Sequence, residues 1–494
     1  VKEYLGNYLM NCSALATSLN PNFVDQNWWE NRCGNFKYDW ISKSFHKKVY
    51  ALKNDYIFSN LLRNSFVVVP LLNYLNLTDN RKTNLVKYDA LRDIKDDLTS
   101  VNFDFDQRKL KYAPRFIYLH EFNLAYYLKE LLEGEQIDST NFFNESNHSI
   151  YEKSFITFFD VNYKYRNGHY EQNEGDTVPD FKENLKNYYF QHKKEYRSKD
   201  GELGYDTLKI PQSKKIQNQL RVAVVNTRVI PSNIDKSLFA VPNTDIARRK
   251  EFIDILNDAE KVKSDVLVLP EVSTPYRWLP LIADQARRKQ RVIIVGLEHL
   301  RIHDTCYNLL ATCLPLEHNG IKDVVVNLRL KNHYSPKEAE TIKNRGKKVP
   351  ISLPAIYNLF IWGGIHFSNY NCYELADINH RALFKSKVDL LFASEYNQDI
   401  NYFSNIVESV SRDVHCYFVQ VNSSDFGDSR ITAPIKTVSK DILRLKGGEN
   451  SVVLLGKIDI NKLRDFQKTR VQGQDTNIFK NTPPNFDHSE VEKR

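Results

Sequence analysis

The chain has 494 residues and a mass of 57.9 kDa, several times a usual domain length, so two or three domains are expected. With 41% hydrophobic and 26% charged residues its composition is ordinary for a globular protein, and no run approaches the ~18 apolar residues of a membrane-spanning helix. The 69 Lys and Arg against 61 Asp and Glu, a formal +8, permit contact with nucleic acid or anionic substrates without requiring it. The sequence opens at Val1 with its only Met at Met10, which reads as a piece of a longer polypeptide, and no signal-peptide pattern precedes the first elements. Cys12, Cys33, Cys306, Cys313, Cys372 and Cys416 form no C-x-x-C pair, so they suggest neither a disulfide framework nor a zinc site, and a reducing cytoplasm is the expected setting.

Residues 1–181 are rich in Asn, Lys, Tyr and Phe, and 19 of the 28 tyrosines lie before residue 216. Their clearest periodicity runs from Phe116 to Leu132, where Leu119, Phe122, Leu124, Tyr127, Leu128 and Leu131 recur at helical spacing; further helices are predicted at 56–77 and 89–98. This region is predicted to be mainly helical. Residues 182–216 are basic, polar and broken by Gly and Pro, as in an exposed connector.

From residue 217 short apolar runs alternate with helical patterns. Strands are predicted at 221–229, 265–271, 292–298, 307–314, 323–330, 358–367, 388–394, 416–423 and 451–460, and an amphipathic helix at 244–262 capped by Thr244 or Asp245. Many apolar strands joined by helices imply an α/β domain over 217–465, its sheet faces covered by helices. A polar tail, 466–494, follows.

Three residues fall at or just beyond the carboxyl ends of these strands, the usual place for ligand chemistry in α/β sheets. Glu271 follows four apolar residues and a Pro in LVLPE, Lys331 ends the DVVVNLRL strand, and Cys372 stands between a strand and a helix in SNYNCYEL. A thiol attacks only as thiolate, so it needs a base or a nearby cation. Glu271 can take the proton and deliver it to a leaving amine, and Lys331 can stabilise the thiolate and then the oxyanion. Glu338, seven residues beyond Lys331, can orient the base or the attacking water. Each has a plainer reading: Cys372 as a buried inert thiol, Glu271 as a helix cap, Lys331 as a strand-end charge, Glu338 as a helix-surface carboxylate interchangeable with Glu340.

In this order and context the residues resemble the Glu-Lys-Cys triad of the nitrilase, or carbon-nitrogen hydrolase, superfamily. LVLPE with Glu271, KNHYSPKEAE with Lys331 and Glu338, CYEL with Cys372, Arg381, and GDSRITAP at 427–434 carry the resemblance over about residues 218–465. It implies an αββα sandwich, a thioester mechanism using no metal or organic cofactor, a small-molecule amide, carbamoyl or nitrile substrate, and homo-oligomers built through this domain. Tyr373, Glu395 and Tyr396 fall where the family binds substrate. The chain departs from the family pattern in KSKVD (385–389), in ASEYN (393–397), and in the long basic loop KEAETIKNRGKKV (337–349).

A helical, basic, Tyr-rich region fused to such a domain also resembles bacterial antiviral-defence reverse transcriptases that carry one. The polymerase's aromatic-Ala-Asp-Asp signature is absent, and DIKDD (93–97) reads as a charged helix face. Trp28, Trp29, Tyr112 and Tyr118 could stack on bases of a single-stranded nucleic acid, although core packing is the commoner use of aromatics. His366 and the remaining cysteines of the second half are read as structural. Two functions follow: a cysteine-dependent carbon-nitrogen hydrolase, or a vestigial assembly and ligand-sensing module in a nucleic-acid-binding protein.

Overall fold

The computed structural model describes residues 190–494, apart from 217, 218, 319, 320, 352 and 470, and isolated positions within 118–127 and 150–154. The chain divides into two units, Val1–Tyr126 with Glu152–Val178, and Tyr127–Tyr151 with Pro179–Arg494. In the first, Leu119, His120 and Glu121 are helical within the periodic stretch, and the Tyr118 N–H donates to the Glu121 carboxylate at 3.0 Å. The predicted helices at 56–77 and 89–98, DIKDD, Trp28, Trp29 and Tyr112 lie outside the described residues.

The second unit contains strands β1 (Gln191–Arg197), β2 (Leu203–Ile210), β3 (Leu220–Asn226), β4 (Val266–Val268), β5 (Val292–Gly296), β6 (Leu300–Ile302), β7 (Thr305–Tyr307), β8 (Leu309–His318) and β9 (Ile321–Leu330). These are followed by β10 (Ala355–Trp362), β11 (Ile365–Asn371), β12 (Leu390–Ser394), β13 (Tyr417–Val421), β14 (Ser429–Thr432), β15 (Asp441–Leu445) and β16 (Val452–Ile458). Two large sheets have the orders β16-β3-β4-β5-β8-β9 and β1-β2-β10-β11-β12-β13-β14-β15, and β6 pairs with β7 in a separate two-stranded sheet. β3, β4 and β5 run parallel, as do β11, β12 and β13. β4 and β5 are buried along their whole length, as expected of strands covered on both faces.

The inner faces meet where β12 packs on β5, and β13 and β14 pack on β3. Polar bonds cross the same gap: Ser394 donates to the Leu269 carbonyl at 2.9 Å, Asn369 to Thr312 at 2.6 Å, and the Trp362 indole to the Pro315 carbonyl at 2.7 Å. α1 (Pro231–Leu238) packs on β6, while α2 (Ile246–Lys261) and α3 (Leu279–Lys289) lie on the six-stranded sheet. Asp245 caps α2 by accepting from the Arg248 N–H, and α3 presses Ile282, Ala283 and Ala286 toward β5, β8 and β9. α4 (Pro336–Asn344) and α5 (Ile378–Ala382) follow in the chain. On the outer face of the larger sheet, α6 (Ile400–Val410) buries Phe403, Ile406, Val407 and Val410 against Tyr357, Leu359, Leu391, Ala393 and Phe418. These sheet positions alternate along their strands, as residues sharing one face must. The result is an αββα sandwich.

Four readings of the sequence are corrected. The supposed connector 182–216 contains β1 and β2, and β2 pairs in parallel with β10 along its full length. Its charges mislead because β1 is an exposed edge strand, where Lys, Arg and Glu are well tolerated. The single strand predicted at 358–367 is a hairpin, because Gly363 and Gly364 take φ of +60° and +80° and close a two-residue turn between paired Trp362 and Ile365. The loop at 337–349 begins as α4, capped by Ser335 and started by Pro336. The polar tail folds back as α7 (Ile460–Lys468), which starts before it, and α8 (His488–Glu492), burying Phe479, Phe486 and Val491; the Arg494 guanidinium meets the buried Asp389 carboxylate at 3.1 Å. No helix among the described residues is long and apolar enough to cross a membrane.

Candidate active site

β4, β9, β11 and β12 each end at a polar residue that the sandwich buries at one place. Glu271 stands three residues past β4, Lys331 follows β9 directly, Cys372 follows β11, and Glu395 follows β12. All four are buried. The backbone ties two of these ends together, since the Glu271 N–H donates to the Glu395 carbonyl at 3.3 Å.

The Lys331 ammonium donates to Glu271 Oε1 and to Glu338 Oε2, each at 2.6 Å. Glu338 reaches this position from the first turn of α4, where Ser335 accepts its backbone N–H, leaving its carboxylate free to turn inward. Its Oε1 also takes Asn308 Nδ2 at 2.7 Å and His299 Nε2 at 3.1 Å. Of the two glutamates that KEAE offers, it is Glu338 that joins the centre.

Cys372 opens a short helical turn, Cys372–Ala376, with φ of +46°, a left-handed conformation that L-residues adopt at a cost of about 1–3 kcal/mol. Val272, directly after Glu271, is also left-handed at φ +43°. The Cys372 turn is held by Glu374, which accepts from the Asn371 N–H at 2.6 Å and the Asn332 N–H at 2.5 Å and forms a two-pronged pair with Arg329 at 2.6 and 2.8 Å. Through Asn332 and Asn371 this one carboxylate fastens the segment after Lys331 to the segment before Cys372.

The electrostatics divide the labour among the charges. Burial pushes the Cys372 thiol well above its ordinary range, Glu271 and Glu395 add to this, and Lys331 and the Tyr396 backbone N–H oppose it. Burial likewise raises Glu271, against the pull of Lys331 and with a further push from Glu338. Glu338 resists the same burial because Lys331 and His299 hold it well below the carboxylate range. Burial works against the Lys331 ammonium, but Glu271, Glu338 and Cys372 keep it firmly charged. Burial thus pushes the thiol and Glu271 toward their neutral forms, while Lys331 and Glu338 hold each other charged.

The residues expected to bind substrate divide. Glu395 is fully buried, with Oε2 accepting from Gln420 Nε2 at 2.9 Å, and burial raises its carboxyl well above the usual range. Tyr396 is half-buried against Phe426, with ring centroids 5.2 Å apart. Tyr373 is 36% exposed at the surface of the turn, and no contact carries it to the charged centre. The other cysteines of the described region are core groups: burial raises Cys306 to about 11 and Cys313 to about 12. His366 lies on β11, where its N–H donates to Asp389.

Sequence reasoning missed Asn308, Arg329, Glu374 and His299, and of Asn371 it considered the backbone as an oxyanion donor but not the side chain. Asn308 Nδ2 donates to Glu271 at 2.9 Å and to Glu338, while its Oδ1 accepts from Asn371 Nδ2 at 3.0 Å. One signal was available: in NLRLK, Asn327, Arg329 and Lys331 alternate with buried Leu328 and Leu330, so they share a strand face. A polar row on a buried strand marks a polar interior.

No protein-family model matches the chain, and no curated protein matches it. Among solved structures, an amidase from Nesterenkonia sp. is similar at 14% identity and a TM-score of 0.37, covering 51% of this chain and 95% of that one. The same organism's amidase carrying the acetamide moiety of fluoroacetamide on its active-site cysteine is similar at 13% identity and a TM-score of 0.36, covering 49% and 92%. XC1258 of Xanthomonas campestris, a CN-hydrolase superfamily protein with an arsenic adduct in its active site, is similar at 15% identity and a TM-score of 0.37, covering 51% and 94%.

Proposed function

We propose that the Cys372 centre hydrolyses a nonpeptide carbon-nitrogen bond, that of an amide or carbamoyl group in preference to a nitrile, through a thioester. One observation carries this reading: a single buried ammonium, Lys331, is shared by two carboxylates beside a thiol held in strained backbone at a strand end. Structural ion pairs have no use for a nucleophile at that place.

The steps follow from the charges. Glu271 accepts the thiol proton as Sγ attacks the carbonyl carbon, and the new oxyanion is held by Lys331. Glu271 then gives that proton to the departing nitrogen, so the C–N bond breaks and ammonia or an amine leaves a thioester on Cys372. Water, deprotonated by Glu271, attacks the thioester; the carboxylic acid departs and the proton returns to sulfur. Glu338 stays ionised throughout and keeps Lys331 charged and in place. The carbonyl carbon ends with one C–O bond in exchange for one C–N bond, so the reaction needs only water.

The same reading has the chain assemble as a homo-oligomer through this unit, on the resemblance of its motifs, and serve a defence protein whose first region meets nucleic acid, on the order of regions along the chain. The direct test is turnover of a panel of short amides and carbamoyl compounds by the full chain, with ammonia as readout. Cys372→Ala should abolish release while leaving the circular dichroism spectrum unchanged, and equal release by both proteins would end the proposal. Molar mass in solution tests the assembly. Binding of single-stranded oligonucleotide that weakens as salt rises tests the nucleic-acid part.

A further inference from the structure

Away from the thiol, two imidazoles and a carboxylate converge. His333 lies in the turn between β9 and α4, while Asp377 caps α5 and His380 sits within it. One ligand atom from each of the three lies within 4.8 Å of the other two. The Nε2 atoms of His333 and His380 are 3.3 Å apart, with ring centroids 4.6 Å apart.

We propose that His333, Asp377 and His380 form a zinc site. Two nitrogens at tetrahedral angles on zinc, with bonds of about 2.0–2.1 Å, stand about 3.3 Å apart, whereas right-angle positions at the same bond length bring them to about 2.9 Å. The observed 3.3 Å matches the tetrahedral edge, a distance at which the two nitrogens also share a hydrogen bond when no ion stands between them. The supporting contacts are those of a metal ligand set. Nδ1 of His380 lies 2.8 Å from the buried Tyr357 hydroxyl, which turns Nε2 toward His333. Asp377 Oδ1 is engaged by the backbone N–H groups of Asn379 and His380, which fixes the carboxylate and leaves Oδ2 to bind. Two imidazoles with one carboxylate is a donor set zinc accepts, and three protein ligands leave a fourth position for water.

That fourth position has room. All three residues line a cavity of about 620 Å³, whose wall also includes Ser198, Asp200 and Glu202. His333 stands two residues after Lys331, and Asp377 and His380 stand five and eight residues after Cys372. An ion here joins the segment after Lys331 to the segment after Cys372, whereas Glu374 joins that same first segment to the one before Cys372. The site is therefore a clasp on the two segments that carry the nucleophile and the cation, and its existence does not depend on what the thiol hydrolyses.

The test uses the full chain in a Cys372→Ala background, so that no ion is held by the reactive thiol. Protein stripped with chelator, reloaded with Zn²⁺ and desalted is analysed for zinc per chain, beside His333→Gln and Asp377→Asn. The expected result is one fewer zinc per chain in His333→Gln, and a rise in Tm on zinc addition that this variant lacks. Cobalt substitution of the parent should give the visible bands of a tetrahedral ion, absent in His333→Gln. Since His333 is only half-buried, the variant should match the parent's Tm in chelator, and Asp377→Asn provides a second, independent removal. Equal zinc content and equal Tm response in parent and both variants would overturn the site, whatever the outcome of the amide panel.

Discussion

Asn308 is the cross-strand neighbour of Lys331. β8 and β9 pair Leu309 with Leu330, and one step further the Lys331 N–H donates to the Asn308 carbonyl at 2.9 Å. The two side chains then serve the same pair of acceptors, Glu271 Oε1 and the Glu338 carboxylate. Lys331 supplies the charge and Asn308 supplies direction, because an amide with fixed partners at both ends cannot rotate. Asn308→Leu removes one of the two donors on Glu271 Oε1 and on Glu338 Oε1, which keep Lys331 and His299, and takes away the acceptor of the buried Asn371 amide, at about 1–3 kcal/mol. Turnover should fall by about ten- to a hundredfold with little change in KM. A variant with parental kcat would mean that Lys331 alone aligns the carboxylates.

The pH dependence of the thiol separates the two glutamates. Glu271 acts as base in its ionised form, and its pKa is raised, so alkylation of Cys372 should climb as pH rises through that value. Lys331 lowers the pKa of both Glu271 and Cys372, so in Lys331→Ala the rise moves to higher pH. Glu338 raises Glu271, so in Glu338→Gln the rise moves to lower pH. Iodoacetamide labelling rates across pH, followed by peptide mass spectrometry at Cys372, measure both shifts without a known substrate. Shifts of the same sign in the two variants would contradict the arrangement.

Glu271 and Lys331 were legible because each puts a charge at the end of an apolar strand, where it has no packing reason to stand, and Cys372 by its place between a strand and a helical turn. Glu338 was half legible: its distance from Lys331 fitted, but only the Ser335 cap settles why it, and not Glu340, turns inward. Asn308 was invisible, since an Asn before a strand is ordinary turn chemistry and its partners come from four segments. β1 was hidden by the opposite effect, its charges marking a sheet edge that sequence alone cannot tell from a loop, and β2 beside it was absorbed into the same supposed connector. His333 and His380 lie 47 residues apart in the chain and meet because the ends of β9 and β11 face each other across the two sheets.

Arg329 and Glu374 are buried together at 1% and 0% exposure, and each is the other's only full counter-charge among the described residues. Breaking such a pair from one side costs about 3–5 kcal/mol, so Glu374→Gln should lower Tm by many degrees at neutral pH. Burial would raise the Glu374 carboxyl, but Arg329 and the two backbone N–H groups hold it below the usual range. Its stabilisation is therefore present above the unfolded-state pKa and is lost as pH falls through the depressed folded value. Parent and variant should converge in stability at strongly acid pH. A Tm difference that stays constant down to that range would show that the bond geometry, and not the charge, holds the Cys372 turn.

Gly296 ends β5 directly beneath the base. A Cβ there would lie 2.4 Å from the Glu271 Cα, 2.8 Å from the Pro270 carbonyl oxygen and 2.9 Å from the Val272 nitrogen. All three are backbone atoms, and Val272 is already left-handed, so the turn carrying Glu271 has no easy way to yield. Overpacking of this kind costs about 1–3 kcal/mol, which leaves room for a folded protein. Displacing a catalytic carboxylate by about 1 Å costs on the order of a hundredfold in rate. Gly296→Ala should therefore lose activity far out of proportion to its loss of Tm. Gly346→Ala is the control, because a side chain there is strained by the left-handed backbone at φ +69° but meets open space where its Cβ would go. It should lose similar stability and keep its rate. If both variants lose activity in step with Tm, the effect is general loosening, and the close contact between Gly296 and Glu271 does not set the position of the base.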